Sequence, residues 1–158
     1  MRVRRYLHEE KGTSLVEFAL VLPLLLVILF GVLDFGKAFN YWNDETHLAA
    51  EGARWAVVDS NPGSGTLQQY IQQQADSAEL RSLAAVCISF PTNPDTGSSG
   101  QVGDPVTVTV KSQYTWMPFI SSRTGILPTT SISGSATMRL EALPTSFSAG
   151  AGGTGSCA

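Results

Sequence analysis

Hydrophobic and polar positions divide this chain into one long apolar block and a mixed remainder. Leu15 to Leu33 reads LVEFALVLPLLLVILFGVL, broken only by Glu17, Pro23 and Gly31. As a helix this block spans ~28 Å, close to the ~30 Å hydrocarbon core of a bilayer. A signal-peptide core is shorter and ends in a small-residue cleavage site. Here Asp34-Phe35-Gly36-Lys37 follows instead, so the block reads as a retained anchor. Pro23 removes one backbone hydrogen bond and is expected to kink it.

Beyond Asp34 a different pattern begins. Phe35, Ala38, Phe39, Trp42, Thr46, Ala49, Ala50, Ala53 and Val57 recur at steps of three and four. That spacing predicts a helix continuing to about Val58 with one apolar stripe. The stripe is expected to cover the protein's own sheet, with a neighbouring subunit as the alternative occupant. Ser60-Asn61-Pro62-Gly63-Ser64-Gly65 stops the helix. Thr66 and Gln69 form a capping-box pattern that predicts a second helix, reaching about Val86, with Leu67, Tyr70, Ile71, Ala75 and Ala78 on one face.

The period then changes to two. Val86 to Phe90 reads as a short strand, and Pro91 to Gly103 as a loop. Val106, Val108 and Val110 alternate with polar residues, as do Ile132, Gly134, Ala136, Met138 and Leu140. These are half-buried strands, expected to pair antiparallel. The loop from Met117 to Pro128 carries Phe119 and Ile120 as contact candidates. From Pro144 no period is visible, and disorder is expected. The fold class is therefore α+β, with a long N-terminal helix, a second helix and a small antiparallel sheet. The expected parts are a basic leader (residues 1–12), the long helix (13–58), an α+β domain (59–143) and the tail (144–158).

Charge orients the anchor. Arg2, Arg4, Arg5 and Lys11 precede it against Glu9 and Glu10, while Lys37 and Arg54 follow among Asp34, Asp44, Glu45 and Glu51. The excess of positive charge before the block puts the N-terminus in the cytoplasm and the bulk of the chain outside. A formal net charge of −3 offers no basic footprint for nucleic acid. His8 and His47 have no ligands at metal spacing, and no nucleophile motif or phosphate loop occurs. Neither an enzyme activity, a cofactor nor a metal is expected. Cys87 and Cys157 both fall outside the membrane, where a disulfide between them is permitted; a free buried Cys87 beside a loose Cys157 is the equal alternative.

The residues around the start of the block carry a more specific signal. Gly12 ends the basic leader, and Glu17 and Phe18 follow at the fifth and sixth positions after it. This resembles the cleavage site of type IV prepilins of the Flp branch. The stretch at residues 19–39, the segment HLAAEGARWAV at 47–57 with its Glu51-Gly52-Ala53-Arg54 element, and SATMRLE at 135–141 resemble the TadE-like family. The resemblance implies a pilin-like fold and a minor pilin or pseudopilin role in assembling a tight-adherence, Flp-type IVb pilus. It implies processing by a prepilin peptidase between Gly12 and Thr13. The new Thr13 α-amine, largely protonated at pH 7, would then sit four residues from Glu17 and neutralise that carboxylate in its own or a neighbouring subunit. Implied partners are the prepilin peptidase, other pilins of the system, the inner-membrane assembly platform and the lipid bilayer. The alternative is a signal-anchored extracytoplasmic binding domain with no filament role, which needs neither Gly12 nor Glu17.

Overall fold

The computed structural model describes residues 3–125 and 128–153; the side chains of residues 3–11, 119, 120, 124, 151 and 153 lie outside that description. The elements are α1 (Val3–Val57), α2 (Leu67–Gln73), α3 (Ala78–Leu83), β1 (Ala85–Ser89), β2 (Pro105–Thr115), α4 (Pro118–Thr124), β3 (Thr129–Arg139) and β4 (Gly150–Gly153). The chain divides after Lys37 into two units.

The first unit is helical among its described residues, and α1 passes through Pro23 without interruption. The second unit is α+β. Its four strands lie in the order β3-β2-β1-β4 and all pair antiparallel. β2 and β3 pair along eleven positions, from Pro105 opposite Arg139 to Thr115 opposite Thr129. The predicted alternation holds: Val106, Val108, Val110, Ser112 and Tyr114 are buried on β2, and their neighbours are more exposed.

The part of α1 from Ala38 onward covers this sheet with small residues. Ala38, Ala49, Ala53 and Ala56 are buried there beside Tyr41, Leu48 and Val57. Small side chains bring backbones close. A Cβ on Gly134 of β3 would lie 2.4 Å from the Thr46 backbone nitrogen, and one on Gly52 would lie 2.6 Å from Ile71 Cδ1. Glycine is the residue that fits such approaches.

The expected stripe on α1 needs correction. Ala38, Ala49, Ala53 and Val57 do face the core, but Phe35, Phe39 and Trp42 are exposed. The inward positions between them are Tyr41, Asp44, Glu45 and Leu48. Close helix–sheet packing favours Ala and Gly over bulky rings at the nearest positions.

Three further expectations change. The second helix does not reach Val86; it breaks after Gln73, and α3 starts afresh with Ser77 as N-cap, its side chain accepting from the Leu80 amide. The Asp44 carboxylate receives the Asp76 amide at 3.0 Å in that break, a tertiary partner that competes with helical pairing. The predicted capping box at Thr66 and Gln69 is present. The segment after Met117 is not all loop, since α4 forms there; the Phe119 and Ile120 side chains lie outside the described residues. Pro144 does not begin disorder: Thr145 to Ser148 are held by hydrogen bonds, and Gly150 to Gly153 form β4. Backbone pairing needs no hydrophobic period.

Candidate functional site

Two regions of α1 carry candidate functional residues. In the first unit, fourteen large apolar side chains between Leu15 and Leu33 are exposed, Leu20 by 76% and Phe18 by 62%. Covering such side chains is worth about 1.5–3 kcal/mol each, so the set represents on the order of 20–40 kcal/mol. The side chains are only partly exposed, so this is an upper bound, but it identifies a surface that an apolar environment would cover at a large gain. α1 is long and apolar enough to cross a membrane. Gly12, Thr13, Glu17 and Pro23 all lie within it, each exposed. In the uncut chain the Thr13 nitrogen is a helical amide, so the arrangement has no α-amine for Glu17. Of the leader's cations, Arg2 and the side chains of Arg4, Arg5 and Lys11 lie outside the described residues.

In the second unit, the Glu51-Gly52-Ala53-Arg54 element is divided between two faces. Gly52 and Ala53 are buried against Ile71 and the sheet. Glu51 is half-buried and Arg54 is exposed. The outward pair belongs to a shallow groove of about 420 Å³ with His47, Ala50, Trp55 and Val58. Trp55 Nε1 donates to Glu51 Oε1 at 3.5 Å, and the Trp55 ring meets Tyr70 edge-on at 6.2 Å. One half of the motif therefore fixes the helix on the sheet, while the other presents a carboxylate and a guanidinium over apolar walls. Three and four residue steps along α1 produce this division.

A buried acidic pair, missed by the sequence reading, sits about two helical turns earlier. Glu45 is 0% exposed. Its Oε1 accepts from Ser112 Oγ at 2.6 Å, and Oε2 has no hydrogen-bond partner among the described residues. Burial raises its pKa from 4.5 to about 7; the Ser112 hydrogen bond opposes the rise and the Asp44 charge adds to it. Burial also raises Asp44, opposed by the Asp76 amide. The signal available in sequence was a pair of acids at positions 44–45 on a helix, which reads equally well as a solvated face.

Two other carboxylates fasten loops. Asp104 accepts from Asn93 Nδ2 at 3.0 Å, Ser98 Oγ at 2.8 Å and the Gln101 amide at 3.0 Å, and these bonds, led by Asn93, lower its pKa. Asp59, at φ 51, accepts the amides of Thr145 at 2.9 Å and Ser146 at 2.8 Å together with both hydroxyls. Desolvation works against the charged form there, but the hydrogen bonds outweigh it and hold the pKa at about 2.

Cys87 lies half-buried on β1 opposite Ala151 and is in a disulfide; Cys157 lies outside the described residues. Among the described residues, no group of three His, Cys, Asp or Glu could hold a metal ion.

Comparison with known proteins places one segment. Residues 12–54 match the family model of TadE-like proteins. No curated protein and no solved structure matches the chain.

Proposed function

From its TadE-like segment at residues 12–54, we propose that this protein takes part in assembling a tight-adherence, Flp-type pilus as a membrane-held minor pilin or pseudopilin. The observation that carries this is where the family match starts. It begins at Gly12, the last residue of the basic leader, and leaves residues 1–11 outside. A prepilin peptidase removes residues 1–12 on this reading, so Gly12 and Thr13 are substrate positions and not catalytic ones. The mature helix begins at Thr13, whose α-amine neutralises Glu17 within the apolar surface. An unpaired carboxylate costs ~2.5 kcal/mol or more at the bilayer centre and less near the interface where the apolar run begins, and pairing offsets that cost.

The exposed run from Leu15 to Leu33 then has two environments in succession, the bilayer and the flanks of neighbouring pilins. The N-terminus is cytoplasmic and the second unit extracytoplasmic, as the charge distribution favours. Glu51 and Arg54 present the second unit's polar contact to other components of the same system. The pairing of Cys87 with Cys157 belongs to this reading too, since it suits an oxidising compartment outside the membrane.

Gly12→Ala tests the proposal. Co-expressed with the host's prepilin peptidase, the wild-type chain should lose its first twelve residues and the variant should keep them. Equal processing of both chains, or of neither in a host that processes its major pilin, contradicts the reading.

A further inference from the structure

Where the second unit's share of α1 begins, the helix turns aromatic side chains outward and acidic ones inward. Its exposed positions after Lys37 and before Glu51 are Phe39, Asn40, Trp42, Asn43, Thr46 and His47. The two acids of that stretch, Asp44 and Glu45, are only 7% and 0% exposed. No carboxylate therefore reaches the outer face of these turns. Phe39 is 57% exposed and Trp42 49%, with their rings 5.6 Å apart. The Thr46 hydroxyl donates to the Trp42 carbonyl at 2.8 Å, so even this polar group is satisfied within the helix.

Neighbouring elements extend the same character. Tyr114 of β2 meets Tyr41 edge-on at 5.5 Å and Trp116 at 5.1 Å. Leu83, at the end of α3, is exposed and shares a cleft of about 310 Å³ with Tyr41, Tyr114, Pro118 and Glu79. Arg123 of α4 is exposed. Aromatic rings with one polar edge concentrate where hydrocarbon meets water. Chain length brings such a boundary to this surface. Leu33, the last residue of the apolar run, is six positions before Phe39. At the helical rise that is ~9 Å, against ~5–8 Å for the headgroup layer on each side of a bilayer. The Trp42 ring lies back against Phe39, as helical side chains lean toward the N-terminus. A carboxylate held in that layer costs free energy, and the fold keeps both local acids inside.

We propose that this face of the second unit, Phe39 and Trp42 with the cleft of Tyr41, Leu83 and Tyr114, seats in the boundary between headgroups and acyl chains of a bilayer. That seating requires Leu15–Leu33 to cross the same bilayer and is independent of the pilus reading. A neighbouring protein chain is the rival occupant for an exposed aromatic pair, and lipid-borne and aqueous quenchers of tryptophan separate the two.

The test uses the full chain in phosphatidylcholine vesicles that contain phosphatidylcholine brominated near the headgroup end of its acyl chains, a short-range quencher of tryptophan. Trp55→Phe with Trp116→Phe leaves Trp42 as the sole indole, and Trp42→Phe with Trp116→Phe leaves Trp55, thirteen positions further along α1. Lipid should quench Trp42 at least about twice as strongly as Trp55. If the paired changes impair folding, Trp42→Phe and Trp55→Phe made singly in the otherwise native chain give the same comparison. Trp42→Phe should then remove at least about half of the lipid quenching and Trp55→Phe almost none. Equal lipid quenching of the two indoles overturns the proposal. So does a Trp42 shielded from aqueous acrylamide yet unquenched by lipid, which assigns the face to a neighbouring chain. Release of the chain from the vesicles by alkaline wash would overturn the membrane crossing and the proposal with it, whereas a retained chain with an unquenched Trp42 overturns the proposal alone.

Discussion

Replacing Glu45 with Gln should stabilise the second unit at neutral and alkaline pH and change little in acid. The carboxyl group is 0% exposed, and one of its oxygens has no hydrogen-bond partner among the described residues. Its pKa is about 7 in the fold and 4.5 in an ordinary setting. Between those values the folded chain holds a proton that the unfolded chain has released. The folded state binds more protons, so stability falls as pH rises through this window. The favourable contribution is complete below 4.5 and gone above about 7. At about 1.4 kcal/mol per pH unit, the window amounts to at most about 3.5 kcal/mol. Gln has nearly the same shape, keeps an acceptor for the Ser112 hydroxyl and does not ionise. Urea unfolding of the full chain in detergent, followed by tryptophan fluorescence, measures the difference. Near pH 8, Glu45→Gln should exceed wild type by about 1–3 kcal/mol, and near pH 4.5 the two should agree within about 0.5 kcal/mol. Asp44 also has a raised pKa, but it is common to both chains and cancels in the comparison. An equal gap at both pH values, or a less stable variant near pH 8, would refute the reasoning.

The close approaches of α1 give an order of severity. Gly134→Ala meets the Thr46 and Glu45 backbone and should cost about 3 kcal/mol or more, whereas Gly52→Ala first meets the tip of Ile71 and should cost about 1–2 kcal/mol; the reverse order in urea midpoints contradicts the packing described. Arg54→Ala should leave stability within about 0.5 kcal/mol while reducing pilus assembly in the native host; a stability loss matching Gly52→Ala would make Arg54 a structural residue. Asp59→Asn should lower hydrogen-exchange protection at Thr145 and Ser146. Because its folded pKa is lowered from 3.8 to about 2, the wild-type clamp is full above 3.8 and lost as pH falls through about 2; protection that persists below that pH in the wild-type chain would show that the charge is not what holds the tail.

Much of this fold was legible where periodicity was strong. The end of α1 at Val57, the capping box at Thr66, and the alternation on β2 and β3 follow from local pattern and turn residues. The misreadings share a physical origin. Phe39 and Trp42 are among the most apolar residues on their stretch of helix, yet the sheet approaches so closely that alanines occupy the interface and Glu45 goes inside with its pKa raised. The break after Gln73 depends on Asp44, thirty-two positions before Asp76 in the chain. β4 was invisible because three glycines and an alanine carry no hydrophobic signal, and its partner strand and the Asp59 clamp are remote in sequence. At the candidate site, Glu51 and Arg54 were recognisable as a motif, but only the structure divides it into a packing half and a presenting half.

The intact mass and N-terminal sequence of the protein taken from its native host membrane report on processing without an intermediary. A chain beginning at Thr13 is the expected result; it supplies the α-amine that Glu17 requires and supports the pilus reading. A chain beginning at Met1 or Arg2, in a host whose prepilin peptidase is active, would contradict it, and Glu17 would then be an ordinary interfacial residue of an anchored domain.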